Sequence, residues 1–173
     1  MIRMIIAGGR DFTDYSLMRK SVYEIIDDLK HRDDIAKMLY SGEIDEKDLI
    51  EFISGAAAGA DSLGIRLAEE SIWPVTKFPA NWKRDGKAAG FKRNVVMGNY
   101  AVSDRCDGVL VAFWDGKSRG TKHMIDYARH LGMEVYVIRY DNIDDASRYY
   151  GCASVPSGTP KTNIVAHYRT YLS

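Results

Sequence analysis

The sequence predicts a single α/β domain with a parallel core sheet, because apolar strand-like segments alternate with amphipathic helical ones. Three predicted strands run directly into a glycine-rich turn and then a helix. These units lie at Arg3–Phe12, Leu49–Asp61 and Gly108–Thr121. In a parallel sheet such turns share one edge, where α/β proteins bind ligands. We expect about five parallel strands in the order 3-2-1-4-5, with helices on both faces and a crevice between the first and fourth strands.

The first half of the chain supplies two strands and two long helices. The first helix is predicted over Asp14–Lys30, with Asp14 as its N-cap. Its buried stripe is predicted to be Met18, Val22, Ile25 and Leu29. The charged segment 31–48 is interpreted as a surface insertion that contains a short helix near Asp34–Tyr40. The second strand, Leu49–Ile53, leads into a helix at about Ala60–Ser71.

The second half of the core repeats the alternation. A short strand is predicted at Val75–Phe78, and the proline- and glycine-containing segment Pro79–Gly86 is interpreted as a loop. A helix over Ala88–Ser103 precedes the third glycine-ended strand. A helix over Arg119–Leu131 then leads to the last core strand, Glu134–Tyr140.

The domain is therefore predicted to span residues 1–140. Residues 141–173 form a C-terminal extension that we expect to pack on the same domain. Within it, Gly151–Lys161 is interpreted as a loop and Thr162–Leu172 as a terminal helix.

Composition excludes several functional classes. The 173 residues contain 24 Lys plus Arg and 24 Asp plus Glu. This balance argues against an extended nucleic-acid or anionic-membrane footprint. No apolar run is long enough to span a membrane, and the chain enters a strand at once without a signal peptide. Cys106 and Cys152 form no C-x-x-C motif, and the four histidines have no zinc-type spacing, so we expect a reduced cytoplasmic setting and no metal.

The turn after the first strand reads Gly8-Gly9-Arg10-Asp11-Phe12. Adjacent glycines allow a close backbone approach to an anion, and Arg10 has the geometry to bind phosphate or carboxylate with two hydrogen bonds. The alternative is that Arg10 and Asp11 pair with each other or with solvent.

The turn after the second strand, Ser54–Asp61, lacks the lysine of a P-loop and the spacing of a dinucleotide fingerprint. Its small residues are compatible with anion binding and equally with close helix–sheet packing. Asp61 is compatible with a capping role at the following helix.

The turn after the third glycine-ended strand ends in Ser118-Arg119-Gly120-Thr121, at a predicted helix N-terminus. Hydroxyl and backbone N–H donors at such a position favour anion binding. The alternative is that Ser118 serves only as an N-cap.

A basic helix and a tryptophan accompany these turns. Lys87, Lys92 and Arg93 lie on or near one helix, next to Asn94, and are interpreted either as a solvated face or as a polar wall of the pocket. Trp82 is compatible with covering a base or ribose and equally with an ordinary core role.

Taken together, these motifs resemble the YspA/YpsA-related branch of the SLOG superfamily, which groups Rossmann-like domains of the SMF/DprA and LOG (LONELY GUY) types. The resemblance covers residues 1–140 and depends on the segments 8–12, 54–61, 79–82, 89–97 and 118–121. It implies a Rossmann-like fold with a pocket for a nucleotide or nucleotide derivative. Members include ligand sensors and processing enzymes, some of them in bacteria and phages.

The LOG relatives cleave the N-glycosidic bond of nucleoside monophosphates with an arginine and a glutamate. Arg93 matches the arginine position, and Gly120-Thr121 match the phosphate loop, but Met124 occupies the glutamate position. Asn81 stands where the branch more often has an acidic residue. Asp115 is the candidate that would restore a carboxylate.

The resemblance thus implies nucleotide binding or sensing without a required cofactor. The alternatives are a LOG-type hydrolase and, with less support, DprA-like binding of single-stranded DNA. LOG-type domains commonly dimerise beside the pocket, so a homodimer is expected, with Phe91, Val95, Val96 and Tyr100 on the helix concerned. The catalytic candidates are Arg93 and Asp115. The predicted ligand-binding residues are Gly8, Gly9, Arg10, Asp11, Phe12, Ser54, Gly55, Gly59, Asp61, Trp82, Arg93, Asn94, Asp115, Ser118, Gly120 and Thr121.

Overall fold

A six-stranded sheet forms the centre of the molecule, with the strand order β3-β2-β1-β4-β5-β6. The computed structural model describes residues 1–71 and 73–140 and the backbone of 164–168. The strands are β1 Ile2–Gly8, β2 Ile50–Ser54, β3 Val75–Lys77, β4 Asp107–Trp114, β5 Glu134–Arg139 and β6 Ile164–Tyr168. The α-helices are α1 Tyr15–Lys30, α2 Asp33–Ser41, α3 Glu46–Leu49, α4 Ala60–Glu70, α5 Trp82–Asp85, α6 Ala89–Ala101 and α7 Arg119–His130.

The first five strands are parallel, and their order confirms the predicted 3-2-1-4-5. At the centre of the sheet, Ile5 of β1 lies opposite Ile53 of β2 and Leu110 of β4. Strands covered on both faces carry near-continuous apolar runs, which explains why β1 and β4 were recognisable in the sequence. This parallel α/β sheet is consistent with Rossmann-like folds.

Helices cover both faces of the sheet and divide the core into two layers. Alternate residues of β1 belong to the two core layers, since successive side chains of a strand point to opposite faces of the sheet. Met4 and Ile6 pack with α1 and α4, whereas Ile5 and Ala7 pack with α6 and α7. The predicted stripe of α1 is fully buried, and Asp14 caps that helix by accepting a hydrogen bond from the Leu17 backbone N–H.

Two predicted elements need correction. The segment interpreted as a loop, Pro79–Gly86, contains the single-turn helix α5, because the Asn81 side chain accepts a hydrogen bond from the Arg84 backbone N–H at 3.0 Å and caps the turn. The helix predicted over Thr162–Leu172 is wrong for residues 164–168, which form β6 antiparallel to β5. Pairing with β5 satisfies backbone groups that an edge strand would otherwise expose. The rest of that range and the loop predicted over 151–161 lie outside the described residues.

The charged segment 31–48 contains α2 and most of α3. The predicted short helix is confirmed as α2, whose end is set by Gly42 with a φ of 74°. Most side chains here are exposed or half-buried, and Ile35 anchors α2 to the core at 4% exposure.

A buried polar network that the sequence analysis did not find joins α6 to the sheet. Arg3 donates from Nε to Glu51 Oε2 at 3.1 Å and from Nη1 to the Tyr100 carbonyl oxygen at 2.7 Å. Glu51 Oε1 in turn accepts from the Tyr100 hydroxyl at 2.8 Å and from Thr76. These bonds position the C-terminal end of α6, the helix that carries Arg93.

Across the described ranges, no helix combines the length and the apolar character that a bilayer crossing needs.

Candidate functional site

A cleft of about 170 Å³ opens at the carboxyl end of β1, between the turns that follow β2 and β4 and the α5–α6 segment. This is the edge of the sheet that the sequence predicted for ligand binding. Nine of the predicted residues line the cleft: Gly8, Arg10, Asp61, Trp82, Arg93, Asn94, Ser118, Gly120 and Thr121. The other lining residues are Ala7, Ala57, Lys87, Gly90, Phe91 and Met124. Of these, Lys87 had been weighed as part of a polar wall of the pocket.

A buried ion pair between Asp61 and Arg93 forms one wall of the cleft. Arg93 Nη1 lies 3.0 Å from Asp61 Oδ2, and the two side chains are 15% and 6% exposed. Burial raises the pKa of Asp61, although Arg93 and the Ala57 backbone N–H both favour its charged form. Asp61 does not cap α4, whose N-cap is Gly59; instead it lies in the first turn and supplies the charge that holds Arg93.

Asn94 extends this arrangement to the next helix. Its Oδ1 accepts from Arg93 Nε at 3.1 Å, and its Nδ2 donates to the Gly120 carbonyl oxygen at 3.1 Å. Hydrogen bonds therefore connect the start of α4, the middle of α6 and the start of α7 around the cleft. The guanidinium of Arg93 is fixed on two of its edges before any ligand arrives.

The turn after β2 leaves room for the Arg93 guanidinium to reach Asp61. Its predicted glycines, Gly55 and Gly59, do not themselves line the cleft. A Cβ on Gly55 would lie 1.2 Å from Arg93 Nη1, so only glycine leaves room for that guanidinium. Gly59 has a φ of +76°, and a Cβ there would lie 2.2 Å from the Gly9 carbonyl oxygen. Ser54 is buried and donates to the Asp61 carbonyl oxygen at 2.9 Å. Of the two interpretations of this turn, close packing accounts for these contacts.

The turn after β1 separates its residues between core and cleft. Arg10 is exposed, and its guanidinium carbon lies 5.3 Å from the centre of the Trp82 ring. Asp11 points elsewhere and accepts from the Tyr140 hydroxyl at 3.0 Å. Phe12 is 2% exposed and stacks on Phe113 with 4.7 Å between ring centres. The structure thus gives Phe12 a packing role.

Gly9 in the same turn has a backbone role. Its N–H donates to the Phe113 carbonyl oxygen at 3.1 Å, and its own carbonyl oxygen accepts from the Ala60 backbone N–H at 3.2 Å. These bonds join the turns that follow β1 and β2 to the end of β4. Gly9 therefore shapes the floor of the region without lining the cleft.

In the turn after β4, Ser118 acts as an N-cap, and the helix N-terminus also faces the cleft. Ser118 caps α7, since its Oγ accepts from the Thr121 backbone N–H at 3.3 Å. Gly120 and Thr121 nevertheless line the cleft, so the N-terminus of α7 faces it. Asp115 Oδ1 accepts from the backbone N–H groups of Lys117 and Ser118 at 2.9 and 2.7 Å. Asp115 stabilises the turn and does not line the cleft.

Met124 lines the cleft and is 1% exposed. The resemblance placed Met124 at the position of the LOG glutamate, but Met124 was not among the predicted ligand-binding residues. Its spacing from Thr121 agrees with this position, because residues three apart share a helix face. Nearby, burial lowers the pKa of His123, whose ring lies 4.8 Å from that of Phe91.

The charge of the cleft is predominantly positive. The lining residues include the cations Arg10, Lys87 and Arg93 and the single carboxylate Asp61, a formal excess of two positive charges. No family model matches the chain. The comparisons with curated proteins and with solved structures likewise found no match. The described ranges contain no group of three or more His, Cys, Asp or Glu side chains placed to hold a metal ion.

Proposed function

We propose that the cleft binds a phosphate-bearing nucleotide or nucleotide derivative, and that the chain is a member of the SLOG superfamily. The observation that carries the proposal is the excess of cations in a cleft at the switch point of a parallel sheet. Ligands of α/β proteins bind at such switch points. A sensing role is favoured because the cleft offers binding groups without a matching set of catalytic ones.

The phosphate is proposed to sit between the N-terminus of α7 and the guanidinium groups. The first turn of a helix leaves backbone N–H groups without intrahelical partners, and its dipole favours an anion. Arg119 and Gly120 lie in that first turn. The guanidinium of Arg93 is held in place by its ion pair with Asp61. Arg10 approaches from the turn after β1. An anion bound between them would offset the excess positive charge of the cleft lining.

A ligand panel tests this function directly. AMP, GMP, CMP, UMP and ADP-ribose are compared with a short single-stranded DNA by thermal shift and calorimetry. A ligand at 100 times its dissociation constant is expected to raise the free energy of unfolding by about 2.7 kcal/mol. Response to a nucleotide supports the proposal. Response to DNA alone, or to none of the compounds, would contradict it.

Arg10→Ala is expected to weaken nucleotide binding by about 1.5–3 kcal/mol, because a hydrogen bond to a charged group has roughly that value. Arg10 is exposed and contributes no core packing, so the unfolding midpoint should stay unchanged. Calorimetric titration of the tightest nucleotide from the panel provides the measurement. Arg19→Ala on α1 is the matched control, since Arg19 is also exposed and lies outside the cleft lining. Equal affinity in the Arg10 variant and the wild type would remove Arg10 from the site.

A LOG-type hydrolase is the less favoured function. Met124 lines the cleft at the position of the LOG glutamate, and the carboxylate of Asp115 is engaged by the turn. Asp61 is the one carboxylate of the lining, and it is paired with Arg93. Product analysis of the same incubations separates the two functions, because a hydrolase would release free base from the nucleoside monophosphates.

The homodimer stays a prediction. On α6, Phe91 is 39% and Val96 is 52% exposed, so the helix retains apolar surface beside the cleft. Light scattering at micromolar concentration measures the oligomeric state.

A further inference from the structure

An exposed tryptophan forms part of the cleft rim. A single exposed apolar side chain is ordinary on a protein surface, whereas exposed aromatic side chains that line a cleft are placed to contact a ligand. Among the residues described, the exposed Phe, Tyr and Trp side chains are Tyr23 at 39%, Tyr40 at 93%, Trp82 at 51% and Phe91 at 39%. Trp82 and Phe91 line the cleft, whereas Tyr23 and Tyr40 do not. The exposed aromatic surface of the cleft therefore lies on the α5–α6 segment.

The backbone that presents Trp82 is held in place. Asn81 caps α5, and the Asp85 carboxylate lies 2.8 Å from both Arg84 Nη2 and Lys92 Nζ. Hydrogen bonds from Arg84 and Lys92 lower the pKa of Asp85 to about 2, so its carboxylate is charged at neutral pH. Lys92 belongs to α6, and this contact ties α5 to that helix. These contacts fix the position of the backbone that carries the Trp82 ring.

The surroundings of the ring favour a flat ligand group beside it. A Cβ on Gly90 would lie 3.7 Å from Trp82 Cη2, so the absence of a side chain at Gly90 keeps the space next to the ring open. The Arg10 guanidinium carbon lies 5.3 Å from the ring centre. Arg10, a proposed phosphate contact, therefore lies next to the aromatic ring of Trp82. In a nucleotide, the phosphate and the base are likewise separated by a single ribose.

We propose that Trp82 is the stacking surface for the nucleobase of the bound nucleotide. This inference rests on the proposed function, and it identifies the part of the ligand that the α5–α6 segment recognises. Stacking on an aromatic ring tolerates every base, because each base has a π-face. The site would accordingly distinguish nucleotides from base-free sugar phosphates more strongly than it distinguishes one base from another.

Calorimetric titration with AMP, GMP and ribose 5-phosphate tests the inference, since the sugar phosphate carries the same phosphate and no base. Trp82→Ala is expected to weaken AMP and GMP binding by about 5- to 150-fold, the range measured for loss of base stacking. Its affinity for ribose 5-phosphate should change by less than about twofold. Trp82→Phe should retain most of the nucleotide affinity, because it keeps a ring. Tyr40→Ala provides the control for removing an exposed aromatic side chain outside the cleft.

Tryptophan fluorescence supplies a second readout. The chain has three tryptophans, of which Trp114 is buried and Trp73 is half-buried. AMP should quench the emission of the wild type and leave that of Trp82→Phe unchanged.

The outcomes separate this inference from the proposed function. Equal losses for AMP and ribose 5-phosphate in Trp82→Ala would show that the ring acts through Arg10, and would overturn base stacking while leaving a phosphate site. Unchanged AMP affinity in that variant, or wild-type affinities that do not distinguish AMP and GMP from ribose 5-phosphate, would also overturn it. Failure of the wild type to bind AMP, GMP and ribose 5-phosphate would overturn this inference, and failure to bind any compound of the nucleotide panel would contradict the proposed function as well.

Discussion

Replacing Arg93 by methionine is expected to lower the free energy of unfolding by about 3–5 kcal/mol, because it leaves a buried carboxylate without its charge partner. Asp61 is 5% exposed, and Arg93 Nη1 lies 3.0 Å from its Oδ2. Methionine retains much of the side-chain volume, so the loss reports the charge and not a cavity. Urea denaturation at neutral pH provides the measurement.

The pH dependence of this variant follows from Asp61. Burial already raises the pKa of Asp61 above its ordinary value of 3.8, and Arg93 opposes that rise. Without Arg93 the folded-state pKa should rise further, so the folded protein binds a proton that the unfolded chain releases. Stability is then retained below pH 3.8 and lost as the pH rises through the folded-state pKa. The deficit relative to the wild type should therefore be smaller at pH 5 than at pH 8.

The double variant Asp61→Asn with Arg93→Met tests the cause. Removing both charges should recover much of the stability at pH 8 and abolish the added pH dependence, because no uncompensated carboxylate remains. A single Arg93→Met variant as stable as the wild type at pH 8 would show that the pair contributes little. Nucleotide binding should be weakened in both variants, since both lack Arg93.

Glu51→Ala is expected to destabilise the fold by about 1–3 kcal/mol, because the buried Nε of Arg3 loses its acceptor while Arg3 Nη1 keeps its ion pair with Asp104 at 3.2 Å. Arg3 is 8% exposed and donates from Nε to Glu51 Oε2 at 3.1 Å. In the same variant, the Tyr100 hydroxyl would lose the carboxylate that accepts its hydrogen bond. Thermal and urea denaturation measure the loss.

Asp126→Ala is the matched surface control for Glu51→Ala. Lys122 Nζ lies 2.6 Å from Asp126 Oδ2, but the two side chains are 54% and 49% exposed, so the expected loss is below about 1 kcal/mol. A second comparison is Arg3→Met with Glu51→Leu, which removes both buried charges and should be more stable than Glu51→Ala. Equal losses for Glu51→Ala and Asp126→Ala would contradict the structural role of the network.

The sequence by itself determined the parallel sheet, the order of its five parallel strands and the edge at which the cleft lies. The parallel sheet and its ligand edge depend on local signals: apolar runs for strands buried on both faces, glycines at the turns and 3.6-residue periodicity for the helices. The strand order follows from the arrangement that doubly wound α/β folds commonly adopt. The helix predicted over residues 162–172 is wrong at 164–168, because a short segment of mixed apolar and polar residues does not distinguish a helix from an edge strand. In this chain, pairing with β5 decided the outcome for 164–168.

Only the tertiary structure decided which side chains meet. Asp61 and Arg93 are 32 positions apart, and Arg3 and Glu51 are 48 apart, so no local spacing indicates either pair. Phe12 and Trp82 belong to equally aromatic motifs, yet one is 2% and the other 51% exposed. Strand register and the docking of α4, α6 and α7 on the sheet set these differences. The energy of a buried charge or an exposed ring depends on its surroundings in space and not on its neighbours along the chain.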